Sequence, residues 1–319
     1  MHTKAKWKVI VTKIVQETAT VKRFILSSPS GAPLPPFGGG SHVTTWVRDG
    51  NTIWERQYSL VNVSAQTGDY EIAVQLQPSS RGGSRFWHEA VYEGMELEIS
   101  YPKNHFQLAF SAKHHLFYAA GIGITPFLSM MAELKRKGGS FELHYAARSK
   151  EECAFYDFLR RHYGDSVQFY FSRGDETQRM MPDGMKEQPV GTHVYFCGPR
   201  SMVAQFREAA QSYGYISEKI HYELFTAPAK SDPRPFDVEL QKSGKVIRVE
   251  RDQSLLEALL AAGIRIPHSC RVGGCGTCAI GVLDGDVAHH DVCLTEEEKQ
   301  GNKMIACVSR GKGKLLLDL

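Results

Sequence analysis

Between Lys113 and Gly214 the chain alternates two textures. HLFYAAGIG, FELHYAAR, VQFYFSR and HVYFCGP are short and apolar on both faces, and FLSMMAELKRKGG, CAFYDFLRRHYG and SMVAQFREAAQSYG carry helical periodicity. Strands buried on both faces and separated by helices predict a parallel sheet covered by helices. The region before it reads differently. From about Lys4 to Phe110, runs such as HVTTWV, YEIAVQLQ and MELEISYP alternate in polarity and are broken by GGG, TGD and RGGS. Short strands at that spacing predict an antiparallel barrel or sandwich. After the sheet, APAKSDPRP (Ala227–Pro235) has three prolines and no apolar periodicity, as expected of a linker. FDVELQKSGKVIRVE then reads as two strands around a turn, and SLLEALLAAG as an amphipathic helix with Gly263 past its end. The expected organisation is a β-barrel over 1–110, an α/β domain over 111–226, a linker over 227–235 and a small α+β domain over 236–319. No internal repeat interrupts it.

A chain of 319 residues is long for one core, which agrees with two or three domains. A net charge of +3 gives no electrostatic case for a nucleic-acid partner or a polybasic membrane anchor. The opening MHTKAKWKVIVTKIVQ alternates lysine with apolar residues and reads as a first strand, not as a signal-peptide core. The longest charge-free run, Leu116 to Ala132, is shorter than a membrane span and holds Gly121, Gly123 and Pro126. A cytoplasmic protein without a membrane segment is expected. In that compartment structural disulfides are rare, so the seven cysteines point to metal or redox chemistry.

Three of them stand in CRVGGCGTC, as Cys270, Cys275 and Cys278. The spacing C-x4-C-x2-C with a distant fourth cysteine is that of plant-type 2Fe–2S sites. Gly273, Gly274 and Gly276 let backbone N–H groups approach the sulfurs without a Cβ in the way. A structural zinc site is usually built from two C-x2-C knuckles, and one is present. Of the two candidates for the fourth ligand, Cys307 lies in the apolar run KMIACVSR, whereas Cys293 stands beside the charged EEEK segment and is expected to be a bystander. His268, His289 and His290 near this loop read as surface or hydrogen-bonding residues, not ligands.

Two stretches of the first region carry chemistry. RQYSL alternates as a strand, which puts Arg56, Tyr58 and Leu60 on one face and Ser59 on the other. SSRGGSRF offers glycine-freed amides, a serine hydroxyl and arginines, the makings of a dianion site. In the second region, AAGIGITP joins a buried strand to a helix through a glycine turn suited to a pyrophosphate, and YFCGPRSM follows downstream. After VQFYF come Ser172, Arg173, Gly174 and Asp175. A carboxylate there suits a ribose 2′-hydroxyl, and an arginine suits a 2′-phosphate.

Residues from Phe236 to the end resemble a plant-type ferredoxin domain. The R-x-Y-S and arginine-glycine motifs resemble the flavin barrel of the ferredoxin reductase superfamily, and G-x-G-x-T-P followed by C-G-P resembles its nicotinamide domain. The domain order over the whole chain resembles the phthalate dioxygenase reductase family, to which vanillate demethylase and carnitine monooxygenase reductases belong. The resemblance implies that Arg56 with the turn Arg81, Gly82, Gly83 and Ser84 holds a flavin phosphate, and that Tyr58 and Ser59 line the ring. It further implies that Gly121, Gly123, Thr125, Pro126, Cys197, Gly198 and Pro199 serve the nucleotide, with Thr125 and Cys197 near the nicotinamide. Ser172, Arg173 and Asp175 would hold the ribose end, and Phe225 would shield the flavin. The RGGS turn implies FMN in preference to FAD. NADH is the expected donor, with NADPH open through Arg173. Two-electron delivery by a nicotinamide and one-electron acceptance by a cluster require a flavin between them. The implied partner is a separate Rieske-type oxygenase, since this chain has no Cys-x-His pair of its own. A diiron or cytochrome P450 acceptor, and a zinc-binding module without enzymatic activity, are the alternatives.

Overall fold

The structure is a computed structural model that describes residues 6–50, 52–62, 68–78, 80, 82–174, 177–228 and 234–319. Arg81 and Asp175, expected in the phosphate and ribose sites, lie outside the described residues, as does the middle of the linker. The chain divides into two compact units, Met1–Glu223 and Leu224–Leu319.

The first unit opens with strands β1 (Lys6–Thr18), β2 (Val21–Ser27), β3 (His42–Asp49), β4 (Thr52–Ser59) and β5 (Tyr70–Gln75). Helix α1 (Gly83–Glu89) and strand β6 (Glu96–Ser100) follow. The six strands form one antiparallel sheet in the order β4-β3-β6-β1-β2-β5. The edges β4 and β5 meet through a Leu60–Ile72 bridge and the bond from Val61 N to Glu71 O at 2.8 Å. Of the barrel and the sandwich, this closure selects the barrel. Phe24, Leu26, Val43, Leu60 and Trp87 fill its interior.

The same unit continues with β7 (His114–Ala120), α2 (Thr125–Lys137), β8 (Phe141–Ala147), α3 (Tyr156–Tyr163), β9 (Val167–Phe171), β10 (Thr192–Cys197), α4 (Arg200–Ser212) and β11 (Ile220–Glu223). All five strands are parallel, in the order β11-β10-β7-β8-β9. Helix α2 ends as its glycine predicts: Gly138 adopts φ 70° and its N–H bonds the Leu134 carbonyl. Its buried face carries Phe127, Leu128, Met130 and Met131, each contributing about 1.5–3 kcal/mol.

Barrel and sheet share a core. Val21, Val61, Ala73 and Phe106 pack in one cluster with Phe127, Met130 and Tyr195. The Tyr195 hydroxyl accepts the Ala109 N–H at 2.8 Å, and Ser129 Oγ accepts the Gly40 N–H at 3.1 Å. The two regions read as separate domains in the sequence therefore form a single body.

The sheet strands also carry more than apolar side chains. His115, His144 and His193 are buried in them, and His221 stacks on Tyr195 with ring centroids 4.4 Å apart. Burial pushes the His221 imidazole down to about 4, with His193 and His115 adding to the effect. His42 in the barrel is also pushed down to about 4, by burial first and then by His105 and Lys103. Both groups are neutral in the native state and take up a proton on unfolding below about 6.5, so stability is full above that pH and falls toward pH 4. For His42 the difference corresponds to roughly 3 kcal/mol. Thermal melting should be flat from pH 8 to 7 and decline between pH 6.5 and 4. His42→Leu should shallow that decline by about one proton's worth.

The second unit contains β12 (Phe236–Leu240), β13 (Val246–Val249), α5 (Leu255–Ala261), β14 (Ala279–Asp284), β15 (Val287–Ala288), α6 (Glu296–Gln300), β16 (Lys303–Ile305), β17 (Arg310–Gly311) and β18 (Leu315–Leu317). Its mixed sheet runs β13-β12-β18-β14-β16, with β15 and β17 paired alongside. Ser254 and Glu257 form a capping box at the start of α5, whose Leu255, Leu256 and Leu259 enter the core. The parallel pairing of β12 with β18 places the last strand beside the first, as in a β-grasp.

Candidate functional site

Residues Trp54, Arg56 and Tyr58 share one face of β4 by the two-residue period of the strand. Tyr58 packs edge-on against Trp87 at 5.6 Å, and burial raises its hydroxyl well above the usual range despite Arg56. Arg56 lies under the glycine turn: a Cβ on Gly83 would stand 2.9 Å from Arg56 Nε. Gly82, at φ 124°, is pressed against the Trp54 indole. Ser84 Oγ lies 3.0 Å from Ser80 Oγ and accepts the Gln77 N–H. Strand and turn, some 25 residues apart in sequence, thus form one cradle of donors that fits a phosphate. Ser59 is buried opposite His42 on β3.

In the α/β sheet the chain reverses its order of placement at β7, which has β8 on one side and β10 on the other. Ligands bind at such a switch point, beyond the carboxyl ends of the strands. The two glycine motifs meet there. Gly121 turns the chain at φ 56°, and Gly123 lies directly against the Cys197 carbonyl. Thr125 is buried and donates its hydroxyl to the Ile122 carbonyl, while Pro126 starts α2. Gly198 packs on Ala120, and Pro199 caps α4. Cys197 is fully buried, and burial together with Glu223 holds its thiol well above the usual range. Ser172 and Arg173 follow β9, tied to Ala147 and Arg148 by backbone bonds, and the exposed Arg173 guanidinium lies 3.8 Å from Glu152. Phe225 is 40% exposed and belongs to the second unit.

Four of the five cysteines of the second unit come in pairs. Cys270 and Cys275 hydrogen-bond one another, as do Cys278 and Cys307, and the two pairs interact electrostatically. Within each pair one sulfur is favoured as thiolate: the bond from Cys270 pulls Cys275 down to about 4, and the bond from Cys307 lowers Cys278. Four thiols in two pairs fit a two-iron cluster, in which each iron takes two cysteines. Among the described residues no group of three or more His, Cys, Asp or Glu is arranged around a single metal ion. Backbone N–H groups of Val272 and Gly274 reach Cys270, that of Thr277 reaches Cys275 and that of Gly273 reaches Cys307. The Thr277 hydroxyl is 3.2 Å from Cys275 Sγ. Gly273 at φ 76° leaves no room for a side chain, since a Cβ would stand 2.6 Å from Val308.

Residues 238–312 match the family model described as a 2Fe-2S iron-sulfur cluster binding domain, and 100–220 match that of the DmmA-like N-terminal domain of a dimethylamine monooxygenase subunit. A carnitine monooxygenase reductase subunit of Acinetobacter baumannii is 39% identical over 313 residues, 97% of each chain. A heme-dependent oxidative N-demethylase beta subunit of Ectopseudomonas mendocina is 41% identical, over 96% of each. The solved structure of phthalate dioxygenase reductase, described as modular for electron transfer from pyridine nucleotides to [2Fe-2S], superposes with a TM-score of 0.80 at 34% identity, over 99% of this chain and 98% of that one. The chain belongs to the phthalate dioxygenase reductase family.

Within this member of the family, Cys293, expected as a bystander, stands just before the EEEK segment in sequence. It packs against the core of the second unit, accepts the Gly276 N–H, and burial pushes its thiol up to about 11. The loop folds back there: Val292 N bonds the Gly273 carbonyl, and the fully buried Asp291 carboxylate accepts from Leu294 N and Ser309 Oγ. His268 and Arg271 contact each other at 3.2 Å, whereas His289 Nδ1, 3.6 Å from Asp291, has no hydrogen-bond partner among the described residues. Sequence reasoning also missed Trp54 and Glu223. The strand period that singled out Arg56 and Tyr58 includes Trp54. For Glu223 no signal existed, because its proximity to Cys197 comes from the pairing of β10 with β11.

Proposed function

We propose that this protein is the reductase component of a two-component oxygenase of Rieske type. It takes electrons from NADH into FMN and passes them one at a time through a 2Fe–2S cluster to the oxygenase. The observation that carries the reading is the pairing of Cys270 with Cys275 and of Cys278 with Cys307 inside a loop rich in N–H donors. When bound, the flavin converts two-electron delivery into single-electron steps and the cluster carries those onward.

The chain's own groups supply binding and orientation. Arg56, Gly82, Gly83 and Ser84 cradle the FMN phosphate, and Tyr58 and Ser59 line its ring. Gly121 and Gly123 let the nucleotide approach the backbone at the switch point, with Thr125 and Pro126 holding the turn and Cys197, Gly198 and Pro199 forming the opposite wall. The high thiol value of Cys197 keeps it neutral beside the nicotinamide. Cys270, Cys275, Cys278 and Cys307 ligate the cluster.

An anaerobic visible spectrum before and after one equivalent of NADH tests the reading. Flavin and iron–sulfur absorbance that bleaches with NADH is expected, and a colourless protein inert to the nucleotide would overturn it. The Rieske assignment is tested separately, by turnover with a Rieske-type oxygenase against a haem-dependent one. The haem-dependent N-demethylase relative makes the second acceptor class the specific competitor.

Ser172 and Arg173 set the choice of nucleotide. The exposed Arg173 guanidinium, 3.8 Å from Glu152, would pair with a 2′-phosphate. NADH is the preferred donor and Arg173 sustains appreciable use of NADPH. Arg173→Ala should lower kcat/KM for NADPH by about tenfold or more and leave that for NADH nearly unchanged. Equal effects on both nucleotides would remove Arg173 from this role.

A further inference from the structure

We propose that the indole N–H of Trp54 is a donor to the flavin phosphate, an inference that rests on reading the barrel as an FMN site. Trp54 Nε1 is buried and has no hydrogen-bond partner among the described residues. A buried N–H left unpaired is costly, and indole is a donor only, so its missing partner must be an acceptor. The surroundings say which kind. The Arg56 guanidinium lies 5.3 Å from the centre of the Trp54 ring. Gly82 is held so close that a Cβ on it would overlap the ring and stand 2.9 Å from Nε1 itself. Gly83 in turn lies against Arg56 Nε. Trp54 and Arg56 therefore bring together an unpaired indole N–H and a guanidinium, which also donates to the Glu55 carbonyl, beside a turn whose Gly82 N–H is held by Ser80 Oγ. A phosphate, with three acceptor oxygens and up to two negative charges, can accept the indole N–H and at the same time match the charge of the neighbouring guanidinium. The glycine at 82 then has a second reason besides its φ of 124°: any side chain would displace the indole from the cradle.

The inference is tested with full-length protein freed of flavin and titrated with FMN and with riboflavin, which lacks the phosphate. Wild-type protein should bind FMN much more tightly than riboflavin. If it does not, the phosphate reading of the barrel fails, and the role of Trp54 falls with it. Trp54→Phe keeps the ring and removes the N–H. It should weaken FMN binding about tenfold or more and leave riboflavin binding unchanged. An equal loss for both flavins would mean that the ring only packs, and no loss for either would mean that it does nothing here. Both results overturn the proposal. Should Trp54→Phe fail to fold, the wild-type protein still decides through its indole N–H resonances, assigned among four tryptophans by replacing the others singly. The Trp54 signal should move downfield with FMN and stay in place with riboflavin. Identical responses to the two flavins would overturn the proposal.

Discussion

Cys307→Ser protein is expected to be yellow, with flavin absorbance intact and the broad iron–sulfur bands gone. NADH should still reduce its flavin, while electron delivery to a one-electron acceptor such as cytochrome c should fall by well over 100-fold. Partners that merely hydrogen-bond a metal ligand account for about 10–100-fold when removed, and Cys307 is proposed as a ligand itself. The same loss is expected from Cys278→Ser, because the two thiols form one pair. Cys293→Ser is the control: although the thiol sits by Gly276, the pairs are complete without it, so cluster bands and turnover should persist. A red-brown, active Cys307→Ser protein together with a bleached Cys293→Ser protein would exchange their roles.

Gly123→Ala should nearly abolish reduction by NADH while leaving the flavin and cluster bands in place. The added Cβ would overlap the Cys197 carbonyl and stand 2.8 Å from Gly198 N, all of it backbone that no rotamer change relieves. Overpacking of that kind costs about 1–3 kcal/mol. The larger consequence is positional, because the strain separates the two walls of the nucleotide crevice, and a displacement near 1 Å can cost about 100-fold in rate. Stopped-flow reduction by NADH reads the effect directly. Gly121→Ala makes a useful contrast. A Cβ there meets open space, and the penalty is confined to holding φ 56°, about 1–2 kcal/mol. A tenfold or smaller effect of Gly123→Ala, with Gly121→Ala the worse of the two, would mean that the crevice does not bind the nicotinamide end.

The order of elements was legible in the sequence because its signals are local. Period-two runs became the barrel strands, and continuous apolar runs became the parallel sheet. The Gly-Gly after the second helix became its left-handed cap, and SLLEALLAAG became an amphipathic helix. The four proposed ligands were legible for the same reason, since spacing within a loop is written in the chain. What the sequence left open depends on distant segments meeting. Closure of the barrel rests on the Leu60–Ile72 bridge, and the fusion of barrel and sheet into one body rests on Phe106, Phe127 and Tyr195 sharing a core. The place of Glu223 beside Cys197, of Trp54 against Gly82 and of Cys293 under the cluster loop are of the same kind. The sequence by itself determined which segments are strands, helices and ligand loops, through short-range periodicity and turn chemistry. Only the tertiary structure decided which of their side chains face one another, because strand register and shared packing are properties of pairs of segments that no single stretch encodes.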